Sequence, residues 1–172
     1  DLRSLRNQGR DTDGTWLNHV QRGYNYRLDD LSAAIRVAQL ERLAELRAGR
    51  ARAAANYLRA LGGVDIVQLP AAGPDEDVDW FVYVVRLHPD VNRERLMKTM
   101  ARRGIPTRPY FSPLHLQPLY RELLGHGPGD FPVTERIAAS CLALPWSSRL
   151  NDDDVDHVAE ALIDALREQS GD

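Results

Sequence analysis

Two short segments concentrate side chains that could do chemistry. The first is Gly23-Tyr24-Asn25-Tyr26-Arg27. Asn25 offers amide donors and Arg27 a planar cation, two residues apart. In an extended stretch that spacing puts both on one side. Ahead of a helix N-terminus the pair could clamp an anion. The competing reading is local: Asn25 makes a turn and Arg27 pairs with Asp29 or Asp30. Spacing alone favours the local reading. The second segment is Arg108-Pro109-Tyr110-Phe111-Ser112-Pro113-Leu114-His115-Leu116-Gln117-Pro118, in which three prolines stiffen a stretch carrying Tyr, His and Gln. Rigid irregular chain with convergent polar groups suits a small polar ligand. A proline-rich connection whose Tyr110 and His115 satisfy local backbone accounts for it equally well.

Other chemistry is thinly represented. The five histidines, His19, His88, His115, His126 and His157, match no metal-binding spacing, and no metal is expected. There is no G-x-S-x-G, P-loop or G-x-G-x-x-G motif. Lys98 is the only lysine among 22 basic residues, so amine chemistry has one candidate. The single Cys141 excludes an internal disulfide and reads as core on an apolar helix. Basic and acidic residues number 22 and 25, for a net charge of −3, which argues against broad electrostatic binding of nucleic acid. No apolar run approaches the ~18 residues of a membrane span and no signal peptide is visible. These features point to a cytoplasmic protein with no nucleic-acid or membrane partner. At 172 residues, with 43% hydrophobic and 27% charged, the chain can bury a core without staples.

The elements that would position these segments follow from periodicity. Asp1 to Arg6 reads as the tail of a helix without a cap, so the chain is expected to be a piece of something longer. Gly9 to Arg22 is a polar loop with a turn signal at Asp13-Gly14 and Trp16 and Leu17 as anchors. A helix begins at Asp29 or Asp30 with an acidic N-cap. From Leu31 to Leu40 its apolar residues surround nearly the whole circumference, which predicts burial on most sides. The pattern then narrows to Leu43, Leu46, Ala53, Tyr57 and Leu61, and Gly62-Gly63 ends it. A helix that long would span roughly 50 Å, so a kink at Gly49 or a bridge between two domains is expected. Val64 to Leu69 and Val78 to Leu87 are strand candidates, the second apolar on both faces. A helix from Asn92 to Arg103 stops at Gly104. Ile105 to Phe111 is extended, with Pro106 and Pro109 against a central strand. Short helices follow around Tyr120 to Leu124 and from Pro132 to about Leu142. Asn151 and Asp154 form a capping pair for a last helix with the stripe Val155, Val158, Ala159, Leu162, Leu166. His157 and Lys98 read as solvated. The order implies an α+β unit, a short mixed or antiparallel sheet covered by helices.

Together the segments resemble one family. Arg6-Asn7-Gln8-Gly9-Arg10, Gly23-Tyr24-Asn25-Tyr26-Arg27-Leu28 with Asp30 and Ser32-Ala33-Ala34, and Ala38-Gln39-Leu40-Glu41-Arg42-Leu43 are similar to the middle of the nucleotide-sugar aminotransferases of the DegT/DnrJ/StrS type. The match continues in order through Trp80-Phe81-Val82-Tyr83-Val84-Val85-Arg86-Leu87, Gly104-Ile105, Pro113-Leu114-His115-Leu116-Gln117-Pro118, Gly129-Asp130-Phe131-Pro132 and Leu144-Pro145. Gln8 and Phe81 stand where many members have histidine.

The resemblance implies the small domain of a fold-type I pyridoxal phosphate enzyme: an interdomain and active-site segment at 1–28, a long connecting helix at 29–62, and a small α+β domain at 63–172. The large domain and the cofactor-bearing lysine would lie upstream, leaving no catalytic residue in this chain. By the same resemblance Asn25, assisted by Arg27, binds the cofactor phosphate in the partner subunit's active site, and Tyr24, Tyr110 and His115 contact the nucleotide-sugar substrate. The implied reaction moves an amino group from an amino acid, glutamate by expectation, to a keto-sugar nucleotide. A homodimer with shared active sites is implied, and the isolated fragment is expected to be inactive. Two alternatives stand beside it. One is a sugar dehydratase of the same fold and cofactor; the other is a non-catalytic binding or dimerisation module, for which the Leu31 to Leu40 surface is the discriminating feature.

Overall fold

The computed structural model describes residues 2–11, 18–73 and 75–170. The turn signal at Asp13-Gly14 and the anchors Trp16 and Leu17 lie outside the described residues. Within-chain contacts divide the chain into two compact units, 1–44 and 45–172.

The first unit holds α1 (Leu2–Arg6) and α2 (Asp30–Glu41). Asp29 is the N-cap of α2: its Oδ1 accepts the Ser32 N–H at 2.8 Å, and this bond holds the Asp29 carboxyl below the usual carboxylate range. The burial expected of α2 is not found. No residue of α2 is buried, and Leu31 (74%), Ile35 (57%), Val37 (55%) and Leu40 (66%) are exposed. The physical reason is a shortage of partners: the described remainder of this unit is a five-residue helix and irregular polar chain, which cannot cover an apolar cylinder. The long helix also breaks earlier than expected. Arg42 leaves helical geometry at φ −98° and ψ 7°, and α3 runs from Leu43 to Leu61.

Gly49 is therefore not a kink. It is a buried position inside α3, and a Cβ there would stand 2.3 Å from the Ser148 carbonyl oxygen. The glycine allows a close approach of backbone to helix.

The second unit is built on an antiparallel sheet of four short strands in the order β1-β2-β4-β3, where β1 is Val67–Gln68, β2 Val84–Leu87, β3 Arg108–Pro109 and β4 Cys141–Ala143. Val85 pairs with Leu142, Val67 with Leu87, and Arg108 with Ala143. Around the sheet lie α4 (Arg93–Arg102), a 3-10 turn (Leu114–Leu116), α5 (Pro118–Leu124), α6 (Pro132–Ser140) and α7 (Asp152–Ser170). One core joins Ala54, Tyr57 and Leu61 of α3, Leu96 and Met100 of α4, and Val155, Val158, Ala159, Leu162 and Leu166 of α7 to Val85, Leu87 and Leu142 of the sheet. The α+β expectation and the α7 stripe are met. Asn151 and Asp154 cap α7 reciprocally, at 3.1 and 2.8 Å. Gly104, at φ +77°, ends the α4 segment as expected. His157 and Lys98 are exposed.

Two strand readings need correction. The expected strand from Val78 to Leu87 shrinks to β2, and Phe81 is 75% exposed. The Trp80 carbonyl accepts from the Trp146 indole at 3.3 Å instead of entering a ladder. Trp80, Tyr83, Tyr57 and Trp146 form an aromatic cluster, with Tyr57 and Tyr83 stacked at 4.7 Å. Burial pushes the Tyr83 phenol up to about 12 and raises the Tyr57 phenol further. Cys141 is core, but on a strand rather than a helix: α6 stops at Ser140, and β4 sits buried between β2 and β3. Burial raises its thiol pKa, which suits an inert side chain. Pro109 occupies edge strand β3, where a missing N–H is tolerated.

Candidate functional site

In the first unit, residues 23–26 run beside the end of α1. Tyr24 N–H donates to the Leu5 carbonyl at 2.7 Å, Gln8 N–H to the Tyr24 carbonyl at 2.9 Å, and Tyr26 N–H to the Arg6 carbonyl at 2.9 Å. Gly9 and Gly23 make this crossing possible. A Cβ on Gly23 would fall 2.0 Å from the Gly9 nitrogen, and Gly9, at φ +75°, would place one 1.8 Å from the Gln21 carbonyl oxygen. The backbone there accepts no other residue.

This anchoring fixes the strip that carries the candidate side chains. Asn25 Oδ1 accepts from Arg27 Nε at 3.2 Å. In place of the expected local pairing with Asp29 or Asp30, Arg27 bonds Asn25, while Asp29 accepts the Ser32 N–H. With Asn25 Oδ1 turned toward Arg27 Nε, the Asn25 Nδ2 group and the two terminal guanidinium nitrogens remain as donors. Both residues are exposed. An amide NH2 group beside a planar cation fits a phosphate group chemically. Tyr24 and Tyr26 stack beside it with centroids 5.0 Å apart and are 63% and 71% exposed.

In the second unit, Tyr110 and His115 lie on the same irregular segment but in different surroundings. Tyr110 is half-buried and stacks on Phe111 at 4.1 Å. It lines a cleft of about 320 Å³ with Ser112, Pro113 and, from α6, Thr134 and Ile137. His115 is buried in the 3-10 turn, and its Nε2 meets Glu135 Oε1 at 3.0 Å. Its ring packs on Phe131 at 4.7 Å and lies edge-on to His126 at 6.4 Å. Glu135 also accepts the Gly129 N–H at 2.9 and 3.0 Å and the Phe131 N–H at 3.3 Å. The bond from His115 first, then these N–H groups, hold the Glu135 carboxyl below its ordinary range. Asp130 accepts from the Gly127 N–H and from His126 Nδ1, both at 3.1 Å, and is lowered in the same way.

Asp130 and Phe131 belong to a motif of the family resemblance and His126 is one of the five histidines, but no sequence signal marks Glu135. Glu135 lies 20 positions from His115, and only folding brings them together. A larger cleft, about 550 Å³ between α4 and β3, is lined by Lys98, Arg108 and Glu94 and by none of the expected site residues. No cluster of potential metal ligands occurs among the described residues.

The small antiparallel sheet packed by helices is shared with solved structures that are fold-type I aminotransferases. The chain belongs to the DegT/DnrJ/EryC1/StrS aminotransferase family, whose profile matches residues 1–163. Aminotransferases of this family depend on pyridoxal phosphate. The chain is 36% identical over 145 residues to the erythromycin biosynthesis sensory transduction protein EryC1 of Saccharopolyspora erythraea, covering 84% of this chain and 38% of that protein. It is 34% identical over 170 residues to the dTDP-3-amino-3,4,6-trideoxy-alpha-D-glucose transaminase of Streptomyces venezuelae, covering 97% and 41%. Among solved structures, DesV of S. venezuelae superposes with a TM-score of 0.82 at 32% identity, over 95% of this chain and 42% of that one. The chain thus spans about two fifths of the length of the curated relatives it matches.

Proposed function

We propose that this chain is the carboxy-terminal part of a pyridoxal-phosphate-dependent aminotransferase that transfers an amino group from an amino acid, glutamate, to a keto-sugar nucleotide in amino-sugar biosynthesis. The observation that carries the reading is the hydrogen-bonded Asn25–Arg27 pair, with its free amide and guanidinium donors, on an anchored strip, within a chain whose family match runs through both segments. The relatives' names, an amino-sugar transaminase among them, support the substrate class.

In this reading Asn25 and Arg27 hold the cofactor phosphate, in the active site of the partner subunit of a homodimer. Tyr24, Tyr110 and His115 contact the sugar nucleotide. Pyridoxal phosphate, when bound, supplies the electron sink for amino-group exchange. The chain's own contribution is binding and orientation. Lys98 is exposed on α4 and receives no part in the chemistry, so the chain alone is inactive. No helix among the described residues is long and apolar enough to cross a membrane, and we assign the reaction to the cytoplasm.

Replacing Asn25 by Ala in the complete enzyme removes a hydrogen bond to a dianion, and should weaken cofactor affinity about tenfold or more. Cofactor absorbance retained after dialysis reads this directly. Unchanged retention, or turnover of a keto-sugar nucleotide by the 172-residue chain alone, would overturn the assignment.

A further inference from the structure

The His115 environment is built more carefully than a surface contact requires. The ring is buried, packed against Phe131, flanked edge-on by His126, and bonded at Nε2 to Glu135. An ionised carboxylate can only accept hydrogen bonds, so the nitrogen facing it must carry the proton. Glu135 is kept ionised by what surrounds it: it accepts the Gly129 and Phe131 N–H groups as well as His115. The charged or titratable groups around the imidazole are Glu135 from α6 and His126 and Asp130 from the 126–131 turn, and the Asp130 carboxylate is occupied by His126 and the Gly127 N–H. Glu135 is thus the one carboxylate bonded to the His115 ring among the described residues.

We propose that Glu135 is a positioning residue for His115. It fixes the imidazole as the Nε2–H tautomer, so that Nδ1 remains as the acceptor edge for a hydroxyl of the sugar nucleotide. By tying Gly129 and Phe131 to the same carboxylate, it also holds the ring that packs on His115 in place. Whenever the ring is neutral, this tautomer offers Nδ1 as an acceptor to a donor and no N–H to a phosphate oxyanion. The ligand half of the proposal rests on the substrate-contact reading of His115; the tautomer does not.

The test has two independent arms. In the first, the ¹⁵N shifts of the His115 ring are read by NMR in the unmodified chain at pH about 8.5, well above the ordinary histidine range. A protonated Nε2 and bare Nδ1 are expected; a protonated Nδ1 overturns the proposal. In the second, the complete enzyme is assayed as Glu135→Ala, His115→Ala and the double variant. Glu135→Ala should raise KM for the sugar nucleotide about tenfold with kcat little changed, and should add nothing to His115→Ala. Glu135→Gln, which keeps an acceptor oxygen, should stay within about threefold of the unmodified enzyme. If His115→Ala raises KM and Glu135→Ala does not, the positioning role is refuted. If His115→Ala leaves KM unchanged, the substrate-contact reading fails, and the NMR arm alone decides the role of Glu135.

Discussion

Gly49 gives two physical accounts that differ in sign. A glycine inside a helix costs about 0.5–1 kcal/mol relative to alanine, so at a merely flawed or kinked position Gly49→Ala would stabilise the chain. The structure argues the opposite. A Cβ at Gly49 would lie 2.3 Å from the Ser148 carbonyl oxygen and 3.1 Å from Ser148 Cβ, and the first of these atoms is backbone. Relieving such a contact requires α3 and the chain at Ser148 to move apart, at about 1–3 kcal/mol for overpacking. A 2.3 Å contact with backbone belongs at the upper end of that range, about 3 kcal/mol, so with the propensity gain of about 1 kcal/mol subtracted the net loss is about 2 kcal/mol. For a chain of this size that corresponds to a fall in Tm of about 4–8 °C. Gly63 is the control: a Cβ there meets nothing within 4 Å, and Gly63→Ala should be neutral or stabilising by up to about 1 kcal/mol. Thermal unfolding followed by circular dichroism reads both. A Gly49→Ala chain as stable as the parent, or more so, refutes the close-packing account.

Two further outcomes follow from exposed surface and from charge. Leu31, Ile35, Val37 and Leu40 leave an apolar face on α2, and patches of this kind drive association. The isolated chain should self-associate in sedimentation experiments, and Leu31→Glu with Leu40→Glu should reduce this; a monodisperse unmodified monomer would count against the enzyme-part reading and favour an autonomous module. Glu135 and Asp130 have lowered carboxyl pKa values when folded. The unfolded chain therefore takes up protons first as pH falls, so their stabilisation is complete above the ordinary carboxylate range near 4 and is lost as pH drops through the lowered folded values. The urea midpoint should decline between about pH 5 and pH 3, and Glu135→Gln should decline less steeply; parallel slopes would show that the His115–Glu135 bond contributes nothing to acid sensitivity.

Local signals in the chain determined the local features. The Asp29 cap, the Asn151–Asp154 capping pair, the Gly104 stop and the α7 stripe depend on residues within a turn or two of one another, where periodicity and side-chain chemistry suffice. The order of motifs likewise identified the family that the profile match shows. Tertiary structure decided the rest. Pairing β4 between β2 and β3 turned a helix reading of Cys141 into a strand, because ladder partners 55 residues distant outweigh local propensity. An apolar α2 proved exposed, since a hydrophobic pattern states that a surface seeks cover but not which segment covers it. Gly49 exchanged a kink for a close approach only once Ser148 was placed against it. The Glu135 carboxylate beside His115 has no spacing signature at all: hydrogen bonds act over about 3 Å of space, and chain separation carries no information about that distance until the fold has closed.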